Sequence, residues 1–164
     1  MILNRQKQYA LNLPALRAYV QSLKHALQLG RRDFNICFAD DREIQGLNAA
    51  YLGRQRPTDV ISFPWQEASK EASGRSSERE FKGFLGDVVI SVETARRNAQ
   101  REGHSTLNEI RWLILHGVLH LLGYDHEWDQ GEMAELELSL REELGISGLR
   151  VKRTGKRRAR SQHG

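Results

Sequence analysis

His116 and His120 lie four residues apart and His126 follows six residues later, and this is the part of the chain whose residue types and spacing suit chemistry. On an α-helix, residues i and i+4 project from one face about a turn apart, so both imidazoles can reach a single ion. The link His120-Leu-Leu-Gly-Tyr-Asp-His126 contains Gly123, which can take a positive φ and let the chain double back to present the third imidazole. Three neutral nitrogens leave the fourth tetrahedral position open, the arrangement of catalytic rather than structural zinc. Such an ion lowers the pKa of bound water from ~16 toward ~7 and so supplies a nucleophile at neutral pH. A buried or capping histidine would explain one such residue, but three of only six histidines within eleven residues point to a metal. His25, His104 and His163 have no partner spacing and read as surface residues.

The run matches the metzincin peptidase pattern His-Glu-x-x-His-x-x-Gly-x-x-His at every specified position except the second, which is Gly117. In those peptidases the glutamate takes the water proton, so glycine removes the base that peptide hydrolysis needs. Glycine here either frees space beside the metal for a bulkier group such as phosphate or serves helix packing. Asp125, just before the third ligand, is a candidate catalytic residue: a proton acceptor, an acceptor that orients an imidazole, or a turn-stabilising aspartate. Glu127 and Asp129 read as surface charges at the start of a following helix.

The histidines need a helix to carry them and a core to hold that helix. Ser105-Thr106 with Glu109 forms a capping-box signature opening a strongly apolar helix through Leu122, which Gly123 can end. Residues 129–144 read as a last helix with Met133, Leu136, Leu140 and Leu144 facing inward. Upstream, Pro14 and the Leu16, Val20, Leu23 and Leu27 stripe predict a helix over 14–29 stopped by Gly30. The Asp40-Asp41 pair predicts the cap of a helix through Leu52, and Glu93–Glu102 a further helix. Strands are expected at 34–38, 59–63 and 84–91, with a short edge strand within 2–10. Residues 66–80, where Glu, Ser, Lys and Arg crowd out apolar residues, read as a surface loop.

Length and composition set the frame. A chain of 164 residues, 39% hydrophobic and 28% charged, fits one packed domain over 1–150 followed by a tail. Cys37 is the only cysteine, which excludes an intrachain disulfide and any multi-thiolate zinc site. Neither a signal-like apolar N-terminus nor an uncharged run near the ~18 residues of a membrane span is visible, so the cytosol is the expected compartment. The net charge of +4 is unevenly placed: residues 151–164 hold six of the 25 Lys and Arg and no acid, leaving 19 basic against 21 acidic residues in the body. The tail reads either as a disordered, solvated terminus or as a polyanion-seeking element.

The run His116-Gly-Val-Leu-His-Leu-Leu-Gly-Tyr-Asp-His126 closely resembles the signature of the YbeY family of bacterial endoribonucleases and rRNA maturation factors. Asn48-Ala-Ala-Tyr51, Arg56-Pro-Thr-Asp-Val-Ile-Ser-Phe-Pro64 and Leu85-Gly-Asp-Val-Val-Ile90 resemble that family's other blocks in order, so the likeness spans roughly residues 34–145. It implies a single-domain α+β fold: a small mixed β-sheet packed with about five helices, and a zinc site at the end of a central helix. It further implies one zinc ion per chain, held by His116, His120 and His126, and cleavage of single-stranded RNA during ribosomal RNA maturation and small-subunit quality control. One departure stands out. After the tyrosine of the second block the family commonly has an active-site arginine, and this chain has Leu52. Arg54 and Arg56, in the same loop, are candidate substrate-binding residues, since a guanidinium suits bidentate phosphate contact, or are ordinary solvated loop residues. Thr58, Asp59 and Ser62 either line the cleft or cap the strand start.

Three functions follow in order of support: a zinc-dependent endoribonuclease, a zinc metallopeptidase-like hydrolase with a displaced base, and a non-catalytic ribosome-assembly factor whose zinc is structural. The general base, the metal identity, the natural RNA and the oligomeric state are left open by the sequence.

Overall fold

The computed structural model describes residues 1–52, 58–65, 83–124 and 132–145. Among them are four strands and five helices in the order β1 (Ile2–Asn4), α1 (Leu13–Ala26), β2 (Asp33–Ala39), α2 (Asp41–Leu52), β3 (Val60–Pro64), β4 (Phe84–Ser91), α3 (Val92–Glu102), α4 (Thr106–Leu121) and α5 (Glu132–Glu143). The strands form one mixed sheet in the order β1-β2-β4-β3. β1, β2 and β4 run parallel, and β3 pairs antiparallel with β4 through Ile61 opposite Val89 and Phe63 opposite Asp87. The architecture is the expected single-domain α+β fold, and the expected short edge strand is β1.

Strand alternation gives the sheet two apolar faces. Phe34, Ile36, Phe38, Val88 and Ile90 face the main core, where they meet Leu16, Tyr19, Val20 and Leu23 of α1, Val92 and Ala95 of α3, and the apolar side of α4. Cys37, Ala39, Ile61, Phe63 and Val89 face the other way, against Ile44 and Leu47 of α2. The β2–β4 register slips by one residue between Asp33 and Phe34, and Gly86 sits just past the slip at φ +140°. A Cβ there would stand 2.2 Å from the Phe63 carbonyl oxygen and 2.9 Å from Leu121 Cδ2. Glycine thus lets β3 and the end of α4 close on β4.

The helix ends follow local chemistry. Asn12, Ser91 and Ser105 cap α1, α3 and α4, each side-chain oxygen accepting a backbone N–H three residues on. Asp40 caps α2 by accepting from Glu43 N at 2.8 Å. α1 ends earlier than expected. Gln28, not Gly30, takes the first left-handed conformation (φ +54°), and Leu29 N and Gln28 N donate to the Lys24 and His25 carbonyls in a Schellman motif. The bonds closing that motif fix the stop two residues before the glycine.

Asp41 ties α2 to α3. It accepts hydrogen bonds from Ser91 Oγ, from Thr94 Oγ1 at 2.6 Å and from Arg97 Nη2 at 2.7 Å. Partial burial alone would raise its pKa, but these three donors together hold the carboxyl below its ordinary value.

Candidate metal centre

α4 is the central helix. Ten of its sixteen residues are buried, so its side chains are held between the sheet and the neighbouring helices. His116 and His120 sit on its C-terminal half, as their spacing predicts. Their Nε2 atoms approach to 3.1 Å, with the rings edge to face at 4.6 Å between centroids. Two nitrogens each ~2.0–2.1 Å from a tetrahedral zinc stand roughly 3.3 Å apart, so the pair is already spaced to share one ion. The last turn of α4 adds the negative end of the helix dipole.

Two further contacts hold His116. The Trp112 indole stacks on its ring at 5.1 Å between centroids and 17° between planes. On the far side of the ring, His116 Nδ1 lies 2.9 Å from Oε1 of Glu137, a carboxylate fully buried on α5. Neither partner was foreseen from the sequence. The available signal was that Glu137 and Arg141, four residues apart, sit beside Leu136 and Leu140 in the inward stripe of α5, where both prove buried.

Past His120 the helix closes as expected. Gly123 is left-handed at φ +97°, and Gly123 N and Tyr124 N donate to the His120 and Leu119 carbonyls, again a Schellman motif. The chain therefore turns sharply at Gly123 and Tyr124. His126 and Asp125 lie outside the described residues, as do Arg54 and Arg56, residues 66–80 and the tail at 151–164. His116 and His120 are the two predicted ligands that the described residues bring together.

Gly117 is explained by packing. A Cβ at this position would stand 2.6 Å from Val88 Cγ1 and 3.2 Å from Ser62 Oγ, and Ser62 Oγ–H donates to the Gly117 carbonyl at 2.9 Å. The helix rides directly on β3 and β4 here, so the glycine opens no space for substrate, and a glutamate at this position would have no room. Ser62 is a tie between β3 and α4. Asp59 accepts from Asn98 Nδ2 at 3.3 Å and its carbonyl accepts from Ser91 N, so it anchors the start of β3 to α3.

His104 corrects the expectation of a surface residue. It is partly buried, its side chain only 7% exposed, with Nε2 2.8 Å from Oε1 of the fully buried Glu109. The same contact corrects the capping box. With Ser105 as cap, the box partner position belongs to Asn108, and Glu109 turns inward to His104. His25 is exposed, as expected.

The family model described as Endoribonuclease YbeY matches residues 1–145. The chain belongs to this family. An Endoribonuclease YbeY of Sulfurovum is 40% identical over 136 residues, covering 82% of this chain and 88% of the relative. The Syntrophus aciditrophicus protein of the same name is 42% identical over 126 residues (77% and 74% covered), and that of Aquifex aeolicus 46% over 104 residues (62% and 61%). A solution structure of a Thermotoga maritima protein superposes with a TM-score of 0.58 at 26% identity, over 88% of this chain and 89% of that one. The YbeY name denotes a nuclease, a hydrolase acting on RNA. The blocks that carried the resemblance have distinct structural roles: Asn48 is buried in α2 while Tyr51 is exposed at its end, Val60–Pro64 is the antiparallel edge strand, and Phe84–Ser91 is the strand on which α4 rests.

Proposed function

We propose that the chain is a zinc-dependent, single-strand-specific endoribonuclease that acts in the cytosol in ribosomal RNA maturation and small-subunit quality control. The observation that carries this reading is the 3.1 Å convergence of His116 and His120 Nε2 on the central helix of a YbeY-family chain. The donor set fits zinc: imidazole nitrogens at tetrahedral spacing, one of them hydrogen-bonded through its other nitrogen to a buried carboxylate. His116 and His120 would hold the ion, with His126 as third ligand. When bound, zinc supplies Lewis acidity at neutral pH, acidifying water and polarising phosphoryl oxygens.

The protein's own groups provide the rest. Trp112 and Glu137 keep His116 from swinging away, and the packed β3–β4–α4 contact fixes the helix that carries both ligands. Arg54 and Arg56 are the candidates to pair with RNA phosphates in place of an arginine at Leu52, and Asp125 is the candidate proton acceptor. The lack of room for a carboxylate at 117 argues against a metzincin-like peptidase. Cytosolic action is consistent with there being no helix, among the described residues, long and apolar enough to cross a membrane.

The test is cleavage of single-stranded against double-stranded RNA by protein loaded with one zinc per chain, by chelator-stripped protein and by His120→Ala. Loss of cleavage by at least two orders of magnitude in the last two is expected. Equal rates in all three would refute the proposal. Zinc removal that unfolds the domain, without any RNase activity in the loaded protein, would favour the structural-zinc reading.

A further inference from the structure

We propose that Glu137 is a positioning residue that sets the tautomer of His116, so that the Nε2 lone pair points at the site shared with His120 before any metal arrives. The inference rests on reading His116 as a metal ligand.

A neutral imidazole carries its proton on one nitrogen or the other, and only the bare nitrogen can bind a cation. A histidine free in water populates both forms, with Nε2–H the commoner, so a ligand that must bind through Nε2 begins in the wrong form much of the time. Glu137 Oε1 lies 2.9 Å from Nδ1. An ionised carboxylate only accepts hydrogen bonds, so it retains the proton on Nδ1 and leaves Nε2 bare. The 3.1 Å contact between the two Nε2 atoms is then a hydrogen bond in which His120 donates and His116 accepts. The lone pair is therefore already aimed between the two rings. Trp112, stacked at 17°, blocks rotation of the ring out of this plane.

Burial sharpens the point. Glu137 is fully buried on α5, between the partly and fully buried Leu136 and Leu140 of the same inward stripe. Desolvating a carboxylate is costly, and a leucine would pack such a stripe without that cost. Through the 2.9 Å contact that buried carboxylate acts on His116: it orients the ring and increases the donor strength of Nε2. Arg141, one turn further along α5 and also buried, lies on the same side of that helix.

The experiment uses the full chain labelled with 15N-histidine, stripped of metal at a pH where His116 is neutral. Two-bond proton–nitrogen spectra, assigned with His116→Asn, report which nitrogen carries the proton. Wild type is expected to show Nδ1–H at His116, and Glu137→Gln to retain it, because the amide oxygen accepts the same hydrogen bond. Glu137→Leu is expected to shift His116 to Nε2–H and to weaken zinc binding, measured by chelator competition, by about 10–100-fold, with the glutamine variant in between. His116 in the Nε2–H form in wild type overturns the inference, as does a folded leucine variant that binds zinc within about threefold of wild type. If the leucine variant does not fold, the tautomers of wild type and of Glu137→Gln decide alone. A wild type that holds Nδ1–H yet takes up no zinc overturns the metal reading, and with it the purpose assigned to Glu137.

Discussion

One methyl group added at position 117 tests the packing that holds the site. Its carbon would begin 2.6 Å from Val88 Cγ1, so Gly117→Ala must push α4 off the sheet or force Val88 from its rotamer. The expected loss is ~1–3 kcal/mol by denaturant unfolding. Combining it with Val88→Ala should recover about 1 kcal/mol relative to the sum of the single changes, and an additive double mutant would show that this contact is not the cause. Residues at this scale were unevenly legible in the sequence. His116 and His120 could be read because helix geometry alone brings i and i+4 together. Gly117 could be noticed but not explained, since its reason lies on β4, almost thirty residues away. Glu137 and His104 were missed or misread because their partners depend on how α5 meets α4 and how the α3–α4 corner folds, and no periodicity encodes either.

Among the elements, the junction of α2 and α3 depends on one carboxylate. Asp41 has its pKa lowered in the folded state by donors from Ser91, Thr94 and Arg97 that outweigh its partial burial. A lowered folded pKa means that the stabilisation is complete above the unfolded value, 3.8, and fades as pH falls through the folded value. Asp41→Asn should therefore cost ~1–2 kcal/mol at pH 7, since an amide oxygen still accepts but the charge is gone. The gap to wild type should stay constant down to about pH 5 and narrow below about pH 4. A gap independent of pH from 7 to 3 would show that the charge plays no part. Element positions were largely legible: β4 falls on its expected residues and β2, β3 and α3 within a residue or two. The misses are at termini. α1 stops at a Schellman motif with glutamine in the left-handed position, which residue propensity disfavours and the closing hydrogen bonds enforce.

For the molecule as a whole, charge separates body from tail, and that separation makes its own prediction. The described fold is built from a slightly acidic body, while six basic residues crowd into 151–164. If the tail contacts RNA, its deletion should flatten the plot of log affinity against log salt by up to about 4, the counterions released by six phosphate contacts on a single strand. Cleavage at saturating RNA should be unchanged. An unaltered salt slope would assign the tail to solvent. The strand order β1-β2-β4-β3 was not legible at this scale, because it depends on pairings between distant segments. The four strands and five helices of the described residues were legible, because hydrophobic periodicity and capping residues mark each element locally, while their union in one mixed sheet was expected from the family resemblance alone.

The Trp112–His116 stack also gives the protein an internal optical gauge. An excited indole loses its energy readily to an imidazole lying against its face. Fluorescence from Trp112 should therefore follow the state of the ring beside it. With Trp65→Phe and Trp128→Phe leaving Trp112 as the sole indole, a cation that captures His116 should change the emission intensity in step with loading. A signal that did not follow loading would mean that the two rings do not stay stacked in solution.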